Sequence, residues 1–340
     1  MRQRVRFGAM AETMRAAFYE RQGPAEEVLK LGSVERLEPA AGEVLVRVHA
    51  SGVNPSDTYG RAGAQAPMAF PRVIPHQDGA GIVEAVGEGV PQERIGERVW
   101  VYEATWNRPG GTAAEYTVVP AKRSIKLPDA TSFEVGACLG IPALTAHRAL
   151  FADGPISDQT ILVTGGAGAV GSSAIQLAKW AGATVIATVS SDEKAKAALE
   201  AGADHVINYK TQDVAQEVNK ITAGAGVERI VEVDFGGNLP VSLQVIKLHG
   251  TIAGYASRGE PQPKVPFRAL MVKNVIVRPI LVYTMPESAK AAGAADITRA
   301  LRDGALQPRI GARLLLERIA EAHSAVERGS VIGNVVLYHA

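Results

Sequence analysis

The stretch 160–171, T-I-L-V-T-G-G-A-G-A-V-G, constrains this chain more than any other. A short apolar strand runs into Gly166, Gly168 and Gly171 on the spacing G-x-G-x-x-G, and a helical pattern, S-S-A-I-Q-L-A-K-W-A, follows. Glycine lets the chain turn sharply and lets backbone approach a pyrophosphate, whose charge meets the free N–H groups of the helix N-terminus. The spacing alone is a weak sign; between a strand and a helix it predicts a dinucleotide-binding βαβ unit. A tight turn with no ligand is the alternative.

Further apolar strands follow the loop: T-V-I-A-T-V (184–189), D-H-V-I-N-Y (204–209), R-I-V-E-V (229–233) and T-I-A-G-Y (251–255). Helical segments separate them, which predicts a parallel sheet buried on both faces. A single helical stretch, V-G-A-C-L-G-I-P-A-L-T-A-H-R-A-L, leads into the first of these strands. Residues 14–135 read differently. V-L-V-R-V-H-A (44–50), A-G-I-V-E-A-V-G (80–87) and E-R-V-W-V-Y (97–102) are strands punctuated by Gly and Pro. From about 284 the pattern is mixed again, with helices near 286–303 and 317–328 and a final strand N-V-V-L-Y. Residues 1–13 read as a flexible extension, with the ordered pattern starting at Met14.

The type of dinucleotide depends on the end of the second strand. An acidic residue there would hold the ribose hydroxyls of NAD. This chain places Ser190 and Ser191 there, which leave room for a 2′-phosphate, and Lys194 supplies a positive charge. Tyr209 ends the next strand and can lie beside the adenosine. Asp192 and Glu193 argue for NADH unless they form the first turn of a helix capped by Ser191. That reading is preferred, so NADPH is expected.

Composition excludes several classes. Lys and Arg number 36 against 35 Asp and Glu, so net charge gives no case for nucleic acid or an anionic membrane. The single cysteine, Cys138, rules out an intrachain disulfide and a cysteine-based structural zinc site. No apolar run approaches the roughly 20 residues of a membrane span. A cytoplasmic protein is expected.

Several segments together resemble the medium-chain dehydrogenase/reductase superfamily, and within it the zinc-independent NADPH:quinone oxidoreductases, the zeta-crystallin-like group. They are G-V-N-P-S-D-T-Y-G-R-A-G (52–63), D-G-A-G-I-V-E-A-V-G (78–87), G-G-T-A-A-E-Y (110–116), G-I-P-A-L-T-A-H-R-A-L (140–150), the glycine loop, A-G-A-D-H-V-I-N-Y (201–209), A-E-A-H (320–323) and I-G-N-V-V-L (332–337). The resemblance implies an α/β protein: a GroES-like β-rich catalytic domain from 14–136 and 284–340, and a Rossmann doubly wound parallel-sheet domain from 137–283. It places Asn54 and Tyr59 beside nicotinamide and substrate. Gly165, Gly168 and Gly171 fall on its phosphate-loop spacing, Lys194 and Tyr209 on its 2′-phosphate positions, and Asn334 on its late cofactor contact. Gly166, Ala169, Val170, Ser190, Ser191, Thr145 and Gly254 complete the expected cofactor set. Two segments depart from the family: P-H-Q-D (75–78), where P-G-x-D is usual, and the loop between Trp100 and Gly110, which carries Tyr102 and Trp106.

Zinc-dependent relatives place a cysteine near Asn54, a G-H-E segment, and a second cysteine near Ile141 or Pro142. Of that set this sequence keeps only His76, and no metal is expected. Asp57 is a ligand in principle, but reads better as a loop cap. His49, His147, His205, His249, His323 and His339 lack ligand spacing and read as ordinary residues. A quinone or an α,β-unsaturated carbonyl accepts hydride without a Lewis acid, because the cofactor carries the difficult chemistry. The expectation is therefore an NADPH-dependent reductase of such a small molecule, with Asn54 and Tyr59 as neutral donors to the carbonyl oxygen. The alternatives are a non-catalytic NADPH sensor or crystallin-like protein on the same fold and, disfavoured by the missing ligands, a zinc alcohol dehydrogenase. A homodimer is expected, with a tetramer open, pairing along 272–283.

Overall fold

The computed structural model describes residues 12–64 and 66–339. The extension expected over 1–13 lies outside the described residues as far as residue 11. Thr13 pairs with Glu35 within the strand Thr13–Phe18, so regular structure includes a residue assigned to the extension.

Six parallel strands form one sheet in the spatial order His205–Asn208, Thr184–Val189, Thr160–Val163, Val227–Glu232, Ile246–Gly254, Ile276–Pro279. Strand alternation divides the side chains between the two faces. Ile161, Val163, Val185 and Ala187 join Leu144 and Ile175 on one side; Leu162, Ile186 and Ile230 join Val218 and Leu239 on the other. Apolar cover on both sides explains why these strands are continuous apolar runs. Chain order reverses between Thr160–Val163 and Val227–Glu232, which opens a crevice at the carboxyl ends of the strands.

The second sheet is mostly antiparallel and draws on both ends of the chain. Its order is Ile310–Leu315, Asn334–Tyr338, Glu43–Val53, Asp78–Val86, Arg98–Val101, Ser124–Lys126, with Tyr116–Pro120 also on Glu43–Val53. The fold is the GroES-like sheet plus Rossmann sheet that the resemblance implied. The long strand Glu43–Val53 ends at Asn54, which starts the helix Pro55–Ala62. The sheet thus delivers the fingerprint N-P-S-D-T-Y to one place.

Two elements differ from expectation. The single helical stretch over 135–150 is broken into Phe133–Gly136 and Ile141–Phe151. Between them Gly140 packs directly on the Asp78 carboxylate, where a Cβ would overlap it, and Pro142 suits a fresh helix start. Likewise the run 272–283 is not one strand. A helix, Phe267–Lys273, covers its beginning, and Ile276–Pro279 is a short edge strand paired on one side only.

Candidate active site

The phosphate loop is shaped by backbone. Gly165 takes φ 67, a conformation glycine adopts at little cost, and its N–H donates to Thr188 Oγ1 at 3.3 Å. A Cβ on Gly171 would overlap the Gly165 carbonyl oxygen. The helix Ala169–Trp180 begins after Gly168 with no side chain capping it, which leaves its first N–H groups for an anion. The C-terminal segment returns here: Gly333 bridges Gly168 and donates to the Ala167 carbonyl at 3.2 Å. Asn334 follows it, buried, with its amide nitrogen donating to the Arg309 carbonyl at 2.9 Å.

A cavity of about 490 Å³ lies at the carboxyl ends of the parallel strands, walled in part by Gly165, Thr188, Tyr209 and Glu232. Tyr209 in its wall donates its N–H to the Val189 carbonyl at 3.0 Å, and just past Val189 in the chain Lys194 Nζ donates to Ser190 Oγ at 3.0 Å. Lys194 has no carboxylate partner among the described residues. Ser191 caps the helix Asp192–Glu200, accepting from the Lys194 N–H at 3.3 Å, and Asp192 and Glu193 occupy its first turn. Sequence reading missed Glu232. Its carboxylate is buried, which raises its pKa, and accepts from Thr164 Oγ1 at 2.8 Å, the Asp234 N–H at 2.7 Å and Asn238 Nδ2 at 2.7 Å. Gly254 lies opposite Glu232 on the neighbouring strand. The open N–H groups of the glycine loop and the Lys194 ammonium fit the phosphates of a dinucleotide.

At the other end, Asn54 is buried and its amide Nδ2 donates to Asp78 Oδ2 at 2.8 Å. Asp57 Oδ2 accepts the Asn54 N–H at 2.8 Å, and its Oδ1 accepts the Gln77 N–H at 3.2 Å. Asp57 is therefore placed as a cap. Asp78 Oδ2 also accepts the Ile141 N–H at 2.8 Å, at the start of Ile141–Phe151, the helix in which Thr145 is buried one turn on. Burial raises both acids, Asp57 to about 7 and Asp78 well above the carboxylate range. Tyr59 is half-buried, and the Arg258 guanidinium lies 5.6 Å from its ring centre. Thus Asn54 caps the short helix that carries Tyr59, but one N–H of the Asn54 amide is already committed.

His76 is left-handed, with φ 79. That conformation costs a non-glycine residue about 1–3 kcal/mol, and explains why glycine is usual here. Both ring nitrogens are engaged: Nδ1 with Ser51 Oγ at 2.8 Å and Nε2 with His323 Nε2 at 2.9 Å. Ser51 in turn pairs with Thr112 Oγ1 at 2.7 Å. Burial lowers His76 to about 3 and drives His323 well below its ordinary value, so the rings are neutral and share one N–H. His323, read as ordinary, is thus a buried polar partner. Cys138 is also committed, its Sγ donating to the Glu134 carbonyl at 3.2 Å. The donor set around Asn54 does not fit catalytic zinc: among the described residues no three His, Cys, Asp or Glu side chains converge to hold a metal.

The unmatched loop acquires a role here. It is fixed by Gln77 Oε1, which accepts the Thr105 N–H at 3.2 Å, and by buried Glu103, 2.6 Å from Lys290 and 3.0 Å from Arg123. It carries Trp106 onto Tyr283, ring centres 4.4 Å apart and 12° from parallel. A cavity of about 220 Å³ lies beneath, walled by Ser56, Asp57, His76, Gln77, Trp106 and Tyr283 among others. Tyr102, the loop's other aromatic, is in the core against Trp100. The only sequence sign of Tyr283 was its place at the end of the run 272–283, 227 residues from its partner Ser56.

Comparison with known proteins agrees with this geometry. Residues 40–129 match the alcohol dehydrogenase GroES-like domain, and residues 169–298 match the zinc-binding dehydrogenase family. The quinone oxidoreductase of Homo sapiens is 32% identical over 94% of this chain and 95% of its own length. The 2-haloacrylate reductase of a Burkholderia species is 32% identical over 95% of this chain and 98% of its own. The structure of Escherichia coli quinone oxidoreductase complexed with NADPH superposes with a TM-score of 0.82 at 26% identity, over 95% of this chain and 99% of that one. The chain belongs to the medium-chain dehydrogenase/reductase superfamily, in its quinone oxidoreductase group, and is an oxidoreductase.

Proposed function

We propose that the protein is a zinc-independent reductase that uses NADPH to reduce a quinone or an activated α,β-unsaturated carbonyl compound. The observation that carries this reading is the pairing of an open phosphate loop with a polar centre, Asn54–Asp78–Asp57, that offers hydrogen bonds where zinc relatives offer ligands. Bound NADPH supplies the hydride. Gly165, Gly166, Gly168, Ala169, Val170 and Gly171 take the pyrophosphate. Ser190, Lys194 and Tyr209 take the 2′-phosphate, with Ser191 fixing the turn beneath them. Thr145, Gly254 and Asn334 border the nicotinamide half, and Asn54 and Tyr59 orient the substrate. Quinones and 2-haloacrylates share an electron-poor conjugated C=C bond, which takes hydride without a Lewis acid. At about 220 Å³ the cavity is smaller than a drug-sized site of about 300–1,000 Å³, which favours single-ring or short-chain acceptors.

The test is titration with NADPH and NADH, followed by NADPH oxidation with quinones and enones of increasing size. Lys194→Ala is expected to weaken NADPH about 10- to 100-fold, the worth of one charge-assisted hydrogen bond, and to leave NADH unchanged. Equal affinity of the wild type for both cofactors would sink the 2′-phosphate assignment. No turnover with tight NADPH binding would favour the sensor reading.

The edge strand Ile276–Pro279 supports self-association. Beside it Phe267, Met271, Val272 and Ile276 are 73, 51, 64 and 43% exposed, an apolar patch next to unpaired backbone. Pairing with the same strand of a second copy about a two-fold axis would cover both. Sedimentation should give a dimer mass for the wild type and a monomer mass for Phe267→Asp/Val272→Asp. A monomeric wild type would rule the dimer out.

A further inference from the structure

We infer that Ser56 is a further catalytic residue, whose hydroxyl donates a hydrogen bond to the substrate's carbonyl oxygen, and that Tyr283 is the residue that positions it. The inference rests on the reductase reading above and adds the group that meets the developing negative charge. Tyr283 Oη donates to Ser56 Oγ at 2.8 Å, and both side chains line the cavity under Trp106. A phenol is more acidic than an alkanol, so it is the donor of this pair. That occupies Ser56 Oγ as an acceptor and leaves the serine's own hydrogen with no partner among the described residues. The cavity is the space left for it.

The pair is built to hold still. Trp106 lies flat on the Tyr283 ring. The Tyr283 carbonyl accepts from Lys290 Nζ at 3.0 Å, and Lys290 is itself held by buried Glu103 at 2.6 Å. Burial, then the neighbouring Asp57 carboxyl, keeps the Tyr283 phenol well above its ordinary pKa, so it stays protonated and remains a donor. Neither Asn54 nor Tyr59 is in the wall of this cavity, and one N–H of the Asn54 amide is held by Asp78, so Ser56 supplies a donor there in addition to them.

The chemistry balances without ionising either hydroxyl. As hydride from the nicotinamide adds to the conjugated system, the displaced π pair moves onto the carbonyl oxygen. The Ser56 hydrogen bond strengthens as that charge grows. Water supplies the proton that completes the reduction, and Ser56 and Tyr283 keep theirs.

The test is a double-mutant cycle read as kcat and KM with one quinone and one enone. Ser56→Ala should lower kcat about 100-fold, the usual effect of losing an oxyanion donor, with KM within about threefold. Tyr283→Phe keeps the ring under Trp106 and should lower kcat about tenfold, by freeing the serine hydroxyl to rotate. The double variant should be no slower than Ser56→Ala alone, and NADPH affinity should be unchanged throughout. A kcat for Ser56→Ala within twofold of wild type, or losses that multiply in the double variant, would overturn the inference while leaving the reductase reading intact. A wild type that reduces neither acceptor would overturn both.

Discussion

The two ends of the cofactor cleft are built on opposite plans. At the end proposed for the phosphates, the groups on offer are backbone ones. Gly165, Gly168, Gly171 and the uncapped helix act within a few residues of one another, and the Ser191 cap closes on its own next turn. At the substrate end side chains work across long stretches of chain. Asn54 meets Asp78, Asp78 meets Ile141, His76 meets His323, and Ser56 meets Tyr283. Local backbone geometry leaves a spacing motif in a sequence; hydrogen bonds between distant side chains do not.

Two glycines separate the ends most clearly. Gly171→Ala should force the loop away from the Gly165 carbonyl and weaken NADPH roughly 100-fold, near the upper worth of a hydrogen bond to a charged group. Gly140→Ala should instead push on the Asp78 carboxylate and, through it, Asn54. Its effect should fall on kcat, with NADPH affinity retained within about threefold and a stability loss of about 1–3 kcal/mol. Equal losses of cofactor binding in the two variants would show that the ends are not separable. Lys194→Ala, expected to act on NADPH alone, is the next largest effect.

The substrate end is also set apart by its response to pH. Burial holds Asp57 up to about 7 from the ordinary 3.8. Between those values the folded protein holds a proton that the unfolded chain has released. The stability that Asp57 contributes is therefore complete below about pH 4 and declines toward pH 7, by about 1.4 kcal/mol per unit at most. Asp57→Asn removes this slope, so its unfolding free energy should gain on the wild type as pH rises from 4 to 7. A constant difference between the two proteins over that range would show that Asp57 is ionised throughout.

Much of the architecture was legible because burial imposes pattern. Strands such as T-V-I-A-T-V must be apolar on both faces, and the glycine loop cannot be built otherwise. Misreadings occurred where neighbours outweighed local pattern. The helical stretch over 135–150 looks continuous until Asp78, some 60 residues earlier in the chain, takes the Ile141 N–H and occupies the space beside Gly140. The run 272–283 has strand composition, yet part of it is helix and part an exposed edge.

By itself the sequence determined the two-part fold, the phosphate loop, the superfamily and the lack of the zinc ligand set. Each of these depends on residue type and spacing along the chain. Tertiary structure alone decided that His76 turns inward to His323, that the Asn54 amide is held by Asp78, and that Trp106 and Tyr283 close over Ser56. The physical reason is that a buried polar group must find a partner wherever the fold provides one, and that partner can be hundreds of residues away.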